Sequence, residues 1–276
     1  MPEQMKVKLK KGIYILPSLF TSGNMAFGFL SILSSMNGHF TKAAWLLIGS
    51  IACDMLDGRV ARMTKTTSEF GVQLDSLSDL VSFGIAPAVM IYMLSLKDMG
   101  KIGVAIAVLY ILCSAYRLAR FNVKAKDGVV HTSFYGLPTP ASAGLLISFV
   151  LSFELLEPAG QHLTFKTIPV LMKTMPVFFR AMPVVMVLLS LLMVSNIQFA
   201  SFKKFKLSKP QALQILVLII VLFVIVLVYP QNTFFILFSL YVLSGIVIYA
   251  VKYAKRLKNY TDRKLHREKK KLKRKK

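Results

Sequence analysis

Four stretches of this chain contain no Asp, Glu, Lys or Arg. They lie between Lys11 and Lys42, Asp127 and Glu154, Arg180 and Lys203, and Lys209 and Lys252. A transmembrane helix needs about 20 predominantly apolar residues, so runs of this length read as membrane spans. Composition agrees. Of 276 residues 55% are hydrophobic and 17% charged, with a mean hydropathy of +0.60, and a soluble domain would carry more charge. The first apolar stretch has no small-residue cleavage site behind it and reads as a span rather than a cleaved leader. Cys53 and Cys113 sit in apolar segments without metal-ligand spacing, and no structural disulfide is expected.

Eight spans are expected, at about 18–36, 43–63, 76–95, 102–121, 139–153, 176–196, 211–229 and 233–251. The second is apolar only as far as Cys53 and then turns polar. Pro138 and Pro140 precede the fifth, and Pro230-Gln231-Asn232 separates the last two. The domain reading is an N-terminal cytoplasmic segment (1–17), a six-helix catalytic membrane unit (18–196), two additional spans (197–251) and a basic cytoplasmic tail (252–276). If both termini lie inside, the inside segments collect 29 of the 35 Lys and Arg, leaving 6 outside. That asymmetry follows the positive-inside rule, and it places the chain in the inner membrane with cytoplasmic termini. The net charge of +23 is thereby explained without nucleic acid, which is not expected as a partner. The tail reads as a topology anchor that contacts anionic lipid headgroups.

Carboxylates in or beside membrane helices are costly, and they point to function. Four cluster here. Asp54, Asp57, Gly58, Ala61 and Arg62 recur at i, i+3, i+4, i+7 and i+8, one face of a helix. Gly71, Asp75 and Asp79 are spaced by four on the next helix, so an antiparallel pair brings four carboxylates to one point. Their mutual repulsion requires compensation. An all-oxygen ligand set favours Mg2+, Mn2+ or Ca2+ over zinc, and a pair of such ions can clamp a diphosphate. Gly58, Ala61 and Gly71 leave room for a flat base and ribose, and Arg62 offers a cation to a phosphate oxygen. Helix caps, interfacial anchors and small-residue helix packing account for single positions but not for the whole pattern.

The pattern D-x2-D-G-x2-A-R-x8-G-x3-D-x3-D, filled at Asp54 to Asp79, resembles the signature of the CDP-alcohol phosphatidyltransferases. The resemblance implies an all-α, six-helix membrane core, to which the last two spans are an addition, in a homodimer with a cytoplasmic active site. It further implies a two-metal site (Mg2+ or Mn2+) at Asp54, Asp57, Asp75 and Asp79. Asp79 would be the base that deprotonates the acceptor alcohol, and the CDP-lipid would lie against Thr21, Gly58, Ala61, Arg62 and Gly71. Within the family, Tyr116–Asn122, Phe134–Ser142 and the opening Pro17–Asn24 look like the membrane-type phosphatidylserine synthases, although Ser18 stands where Asn is more usual. This implies CDP-diacylglycerol and L-serine as substrates, with Arg117, Arg120, Asn122, Tyr135 and Pro138 around the acceptor. Arg120 would meet the serine carboxylate and Asn122 its ammonium.

Arg117 and Arg120 read equally as snorkelling anchors, and the proline-rich stretch as a plain helix entry. His39, His131, His162 and His266 are scattered and form no H-x-K pair, which disfavours a covalent histidine mechanism. Two rivals remain: the same reaction with glycerol 3-phosphate or an inositol phosphate as acceptor, and a transporter with an intramembrane cation site.

Overall fold

The computed structural model describes residues 3–64, 68–126, 134–154, 176–199 and 230–273. Among these the chain is helical apart from short connections. The helices are α1 (Glu3–Met36), α2 (Phe40–Thr64), α3 (Glu69–Met99), α4 (Lys101–Lys126), α5 (Thr139–Glu154), α6 (Pro176–Val194) and α7 (Pro230–Lys273). Among the described residues, four helical segments are long and apolar enough to cross a membrane: Pro17–Met36, Glu69–Met99, Lys101–Val123 and Asn232–Val251. The shorter apolar pieces Thr139–Ser152 and Ala181–Val194 accompany them. The chain is thus an all-α, polytopic membrane protein. The span expected at 211–229 lies outside the described residues.

The observed ends differ from the expected ones for physical reasons. α1 begins well before its apolar part, so the first residues continue the helix instead of forming a separate segment. α3 starts at Glu69 rather than near 76, because Ser68 caps it: the Ser68 hydroxyl accepts from the Gly71 N–H at 3.0 Å. This places Gly71, Asp75 and Asp79 on one helix. α7 runs unbroken from its span through the basic tail to Lys273. Lys, Arg and Leu dominate that tail, and all are good helix formers.

α3 is not a uniform α-helix. It widens into π-helical turns at Leu80–Ile85 and Tyr92–Leu96. The first has an identifiable cause. Pro87 has no N–H to offer the carbonyl four residues back, that of Phe83, and the Tyr110 hydroxyl of α4 donates to this carbonyl at 3.4 Å instead. Tyr110 is fully buried and also meets Ser142 of α5 at 3.0 Å.

α1 packs along α2 and against α3, α4 lies on α6, and α7 lies chiefly on α5. The buried core gathers Leu47, Phe83, Met90, Ile91, Tyr110, Leu146, Ile147 and Met186 from α2 to α6. Large apolar side chains such as Leu30, Val108, Leu112, Leu188, Leu240 and Val247 remain exposed on the outside of the helices, as lipid-facing residues do. The approach of α1 to α3 depends on Gly28, where a Cβ would come within 2.9 Å of the Ser82 Cα. Before α5 the chain forms a two-residue antiparallel pairing of β1 (Phe134–Tyr135) with β2 (Gln198–Phe199). It turns into α5 at Gly136, whose φ of +84° suits glycine.

Candidate active site

The two helices that carry the motif, α2 and α3, bring its carboxylates together. Asp54, Asp57 and Asp75 each present a carboxylate oxygen within 4.8 Å of one another. Asp79 stands beside this group, buried, and within hydrogen-bonding reach of Asp54. α1 completes the surroundings. The Thr21 hydroxyl donates to Asp57 Oδ2 at 2.9 Å, and the Asn24 amide donates to Asp79 Oδ1 at 3.3 Å.

Two serines one turn apart bind α3 to α1. Ser78 donates to the Thr21 carbonyl and Ser82 to the Asn24 carbonyl, both at 2.9 Å. Hydroxyls of this kind act as interhelical ties where water is scarce. They set the register in which Asp75 and Asp79 face α1 and α2.

The carboxylate group suits a hard divalent cation. Its donors are all oxygens, and Asp75 Oδ1 is buried with no hydrogen-bond partner. Such an orphaned acceptor is costly unless something positive meets it. Asp54, Asp57 and Asp75 therefore form a group able to hold a metal ion.

Next to it opens a cavity of about 190 Å³, lined by Pro17, Ser18, Thr21, Asp57, Gly58, Ala61, Arg62, Ser68, Gly71, Val72 and Asp75. All five positions expected to hold the CDP-lipid lie on its wall. Gly58 and Ala61 keep the α2 side of the cavity low, and the exposed Arg62 brings a guanidinium to its rim.

The acceptor candidates divide. Arg117 is turned inward, donates to Thr139 Oγ1 at 2.6 Å, and lies in electrostatic range of Asp79 and Asp54. Asn122 donates to Ser76 Oγ at 2.8 Å, on the helix of Asp75 and Asp79. Arg120 instead donates to the Val194 carbonyl at 3.1 Å and to Asn196 Oδ1 at 2.7 Å, at the end of α6. The backbone of Tyr135 pairs with Gln198, and the Pro138 carbonyl accepts from Ala141 and Ser142 as α5 begins. Arg117 and Arg120, three residues apart, thus have different partners.

Sequence reasoning assigned no role to Asn24, Ser50, Ser78, Ser82 or Thr139. The available signal was small polar residues at helical spacing within otherwise apolar segments, which is common in membrane helices whether or not a site is near.

A carboxylate cluster opening on a cavity walled by small residues of α1, α2 and α3, within a bundle that contains membrane-long apolar helices, defines a polytopic membrane protein with a polar site. The chain belongs to the CDP-alcohol phosphatidyltransferase family, whose pattern it matches over residues 14–175. It is 34% identical over 238 residues to a CDP-diacylglycerol–serine O-phosphatidyltransferase of Helicobacter pylori, covering 85% of this chain and 91% of the relative. It is 40% identical over 139 residues to an archaetidylserine synthase of Methanothermobacter thermautotrophicus, covering 50% of this chain and 58% of the relative. A CDP-diacylglycerol–serine O-phosphatidyltransferase of Methanocaldococcus jannaschii is 41% identical over 120 residues, 44% of this chain and 56% of that relative.

Proposed function

We propose that this protein transfers the phosphatidyl group of CDP-diacylglycerol to L-serine, giving phosphatidylserine and CMP. The observation that carries the reading is the cavity in which Gly58, Ala61, Arg62 and Gly71 meet Asp57 and Asp75. A nucleotide fits against its small residues while its phosphates reach both the carboxylate cluster and the Arg62 guanidinium. The relatives that are CDP-diacylglycerol–serine O-phosphatidyltransferases support serine as the acceptor.

The aspartates Asp54, Asp57, Asp75 and Asp79 would hold a pair of Mg2+ or Mn2+ ions, which when bound neutralise the diphosphate and the charge on departing CMP. The protein's own residues do the rest. Asp79 accepts the proton of the serine hydroxyl as its oxygen attacks the phosphorus esterified to diacylglycerol, and the bond from that phosphorus to CMP breaks. We favour direct attack of the serine hydroxyl on this phosphorus over a covalent enzyme intermediate. Arg117, beside Asp79 and Asp54, is the better placed cation for the serine carboxylate. Arg120, on α4, ties that helix to the end of α6, and Asn122, Tyr135 and Pro138 are the remaining acceptor candidates.

The 29-to-6 charge asymmetry supports an inner-membrane protein with cytoplasmic termini and active site, and a tail held at anionic lipid. Cysteine labelling at Pro2 and Lys276 from the cytoplasmic side tests this orientation, and external labelling at either end would overturn it. We also propose a homodimer, to be checked by the mass of the detergent-solubilised particle.

The decisive experiment incubates the purified chain with labelled CDP-diacylglycerol and a panel of acceptors. Phosphatidylserine and CMP are expected with L-serine. Preference for glycerol 3-phosphate or an inositol phosphate would leave the reaction class and remove the acceptor. No CMP with any alcohol would favour a transporter.

A further inference from the structure

Asn24 is fully buried on α1, at the point where α1, α2 and α3 meet. Its side-chain amide donates to Asp79 Oδ1 at 3.3 Å. The orientation of that amide is itself fixed, since Ser50 of α2 donates to Asn24 Oδ1, which leaves Nδ2 as the atom turned toward Asp79. The main-chain carbonyl of Asn24 accepts from Ser82 at 2.9 Å and lies 3.1 Å from the Ser50 oxygen, whose single proton it shares with Asn24 Oδ1.

These contacts separate into two kinds. The carbonyl bonds belong to the backbone, and they hold the three helices together whatever side chain occupies position 24. The side-chain amide adds nothing to that tie beyond Ser50, and its remaining partner is Asp79. A buried donor aimed at one oxygen of a carboxylate fixes the rotation of that carboxylate, which a free Asp terminus does not have.

We infer that Asn24 is a positioning residue for Asp79: it holds one carboxylate oxygen so that the remaining lone pairs face the acceptor hydroxyl. The inference rests on the reading of Asp79 as the general base. It does not depend on which alcohol is the acceptor. The CDP-lipid cavity is lined by other residues, and Asp54, Asp57 and Asp75 make a cation-binding group without Asp79, so the role predicts a larger effect on turnover than on lipid binding. Misplacing a reacting group by about 1 Å costs about 100-fold in rate.

The test uses the full chain in lipid–detergent micelles and measures CMP release, with kcat and both KM values determined separately. Asn24→Ala is expected to lower kcat about 100-fold and to leave the KM for CDP-diacylglycerol within about threefold. Ser50→Ala keeps the amide but frees it to rotate; it also removes the α2 contact to the Asn24 carbonyl, which Ser82 still holds, and it is expected to lose about 10-fold in kcat with the same KM pattern. Should Asn24→Ala not elute as a single folded species, Ser50→Ala decides. Wild-type kcat in a folded variant, or a loss seen only in the KM for CDP-diacylglycerol, overturns the assignment while the function stands. A wild-type chain that releases no CMP with any alcohol overturns the function and the assignment together.

Discussion

Replacing Asp75 by Asn should make the metal-free protein more stable and the enzyme inactive, and these two effects arise from the same three oxygens. Asp75 shares a 4.8 Å neighbourhood with Asp54 and Asp57. At that separation, with an effective dielectric constant of about 20, two unit charges repel by about 3 kcal/mol. Asn keeps the shape, removes one charge, and brings an N–H2 group that can donate to the neighbouring carboxylates. Without metal the variant should therefore gain up to a few kcal/mol, with each kcal/mol raising the unfolding midpoint by about 2–4 °C for a chain of this size.

The native site should respond in the opposite way to cation. A ligand present at about 100 times its Kd stabilises by about 2.7 kcal/mol, a shift of about 5–11 °C on the same scale. Asp75→Asn lacks one of the carboxylates proposed to hold the ions and should lose most of that shift. The assay is thermal unfolding of the detergent-purified chain, followed by Trp45 fluorescence, in chelator and in excess Mg2+. A variant less stable than wild type in chelator would refute the repulsion argument. A variant with an undiminished Mg2+ shift would remove Asp75 from the metal site.

Asp79→Asn should lower kcat by about 100-fold to 10,000-fold, the range for a lost general base, while the KM for CDP-diacylglycerol stays near wild type; steady-state kinetics at varied lipid checks both. Arg62→Ala should raise the KM for the CDP-lipid and Arg117→Ala that for serine, each by the loss of a charge-assisted contact of about 1.5–3 kcal/mol; two KM measurements per variant test this division. Gly28→Val should cost about 1–3 kcal/mol or more through overpacking, because it drives α1 off Ser82. A lowered unfolding midpoint together with lost turnover is expected, and an unchanged midpoint would contradict the close approach.

The part of the site built from side chains on one helix face could be read before any coordinates. Asp54, Asp57, Gly58, Ala61 and Arg62 have to share a face, and their convergence with Gly71, Asp75 and Asp79 followed from a short connection between antiparallel helices. Of what α1 contributes, only Thr21 was expected, from the family resemblance; its bond to Asp57 and the place of Asn24 were not legible. Thr21 and Asn24 reach Asp57 and Asp79 across 36 and 55 residues of sequence, a distance that periodicity cannot bridge. The different partners of Arg117 and Arg120 were equally hidden. Residues three apart on a helix point about 60° from one another, so one found Thr139 and the other the end of α6. The π-helical turn after Asp79 had a visible cause in Pro87. Its consequence, a carbonyl taken up by Tyr110, needed the position of α4.

The central claim is a metal-assisted transfer from CDP-diacylglycerol to serine, and CMP release by the purified chain tests it most directly. With labelled CDP-diacylglycerol, L-serine and Mg2+ or Mn2+, CMP and phosphatidylserine should appear in equal amounts. Chelator should stop their formation, and added cation should restore it. Equal turnover in chelator, or CMP formed with another alcohol in preference to serine, would contradict the account.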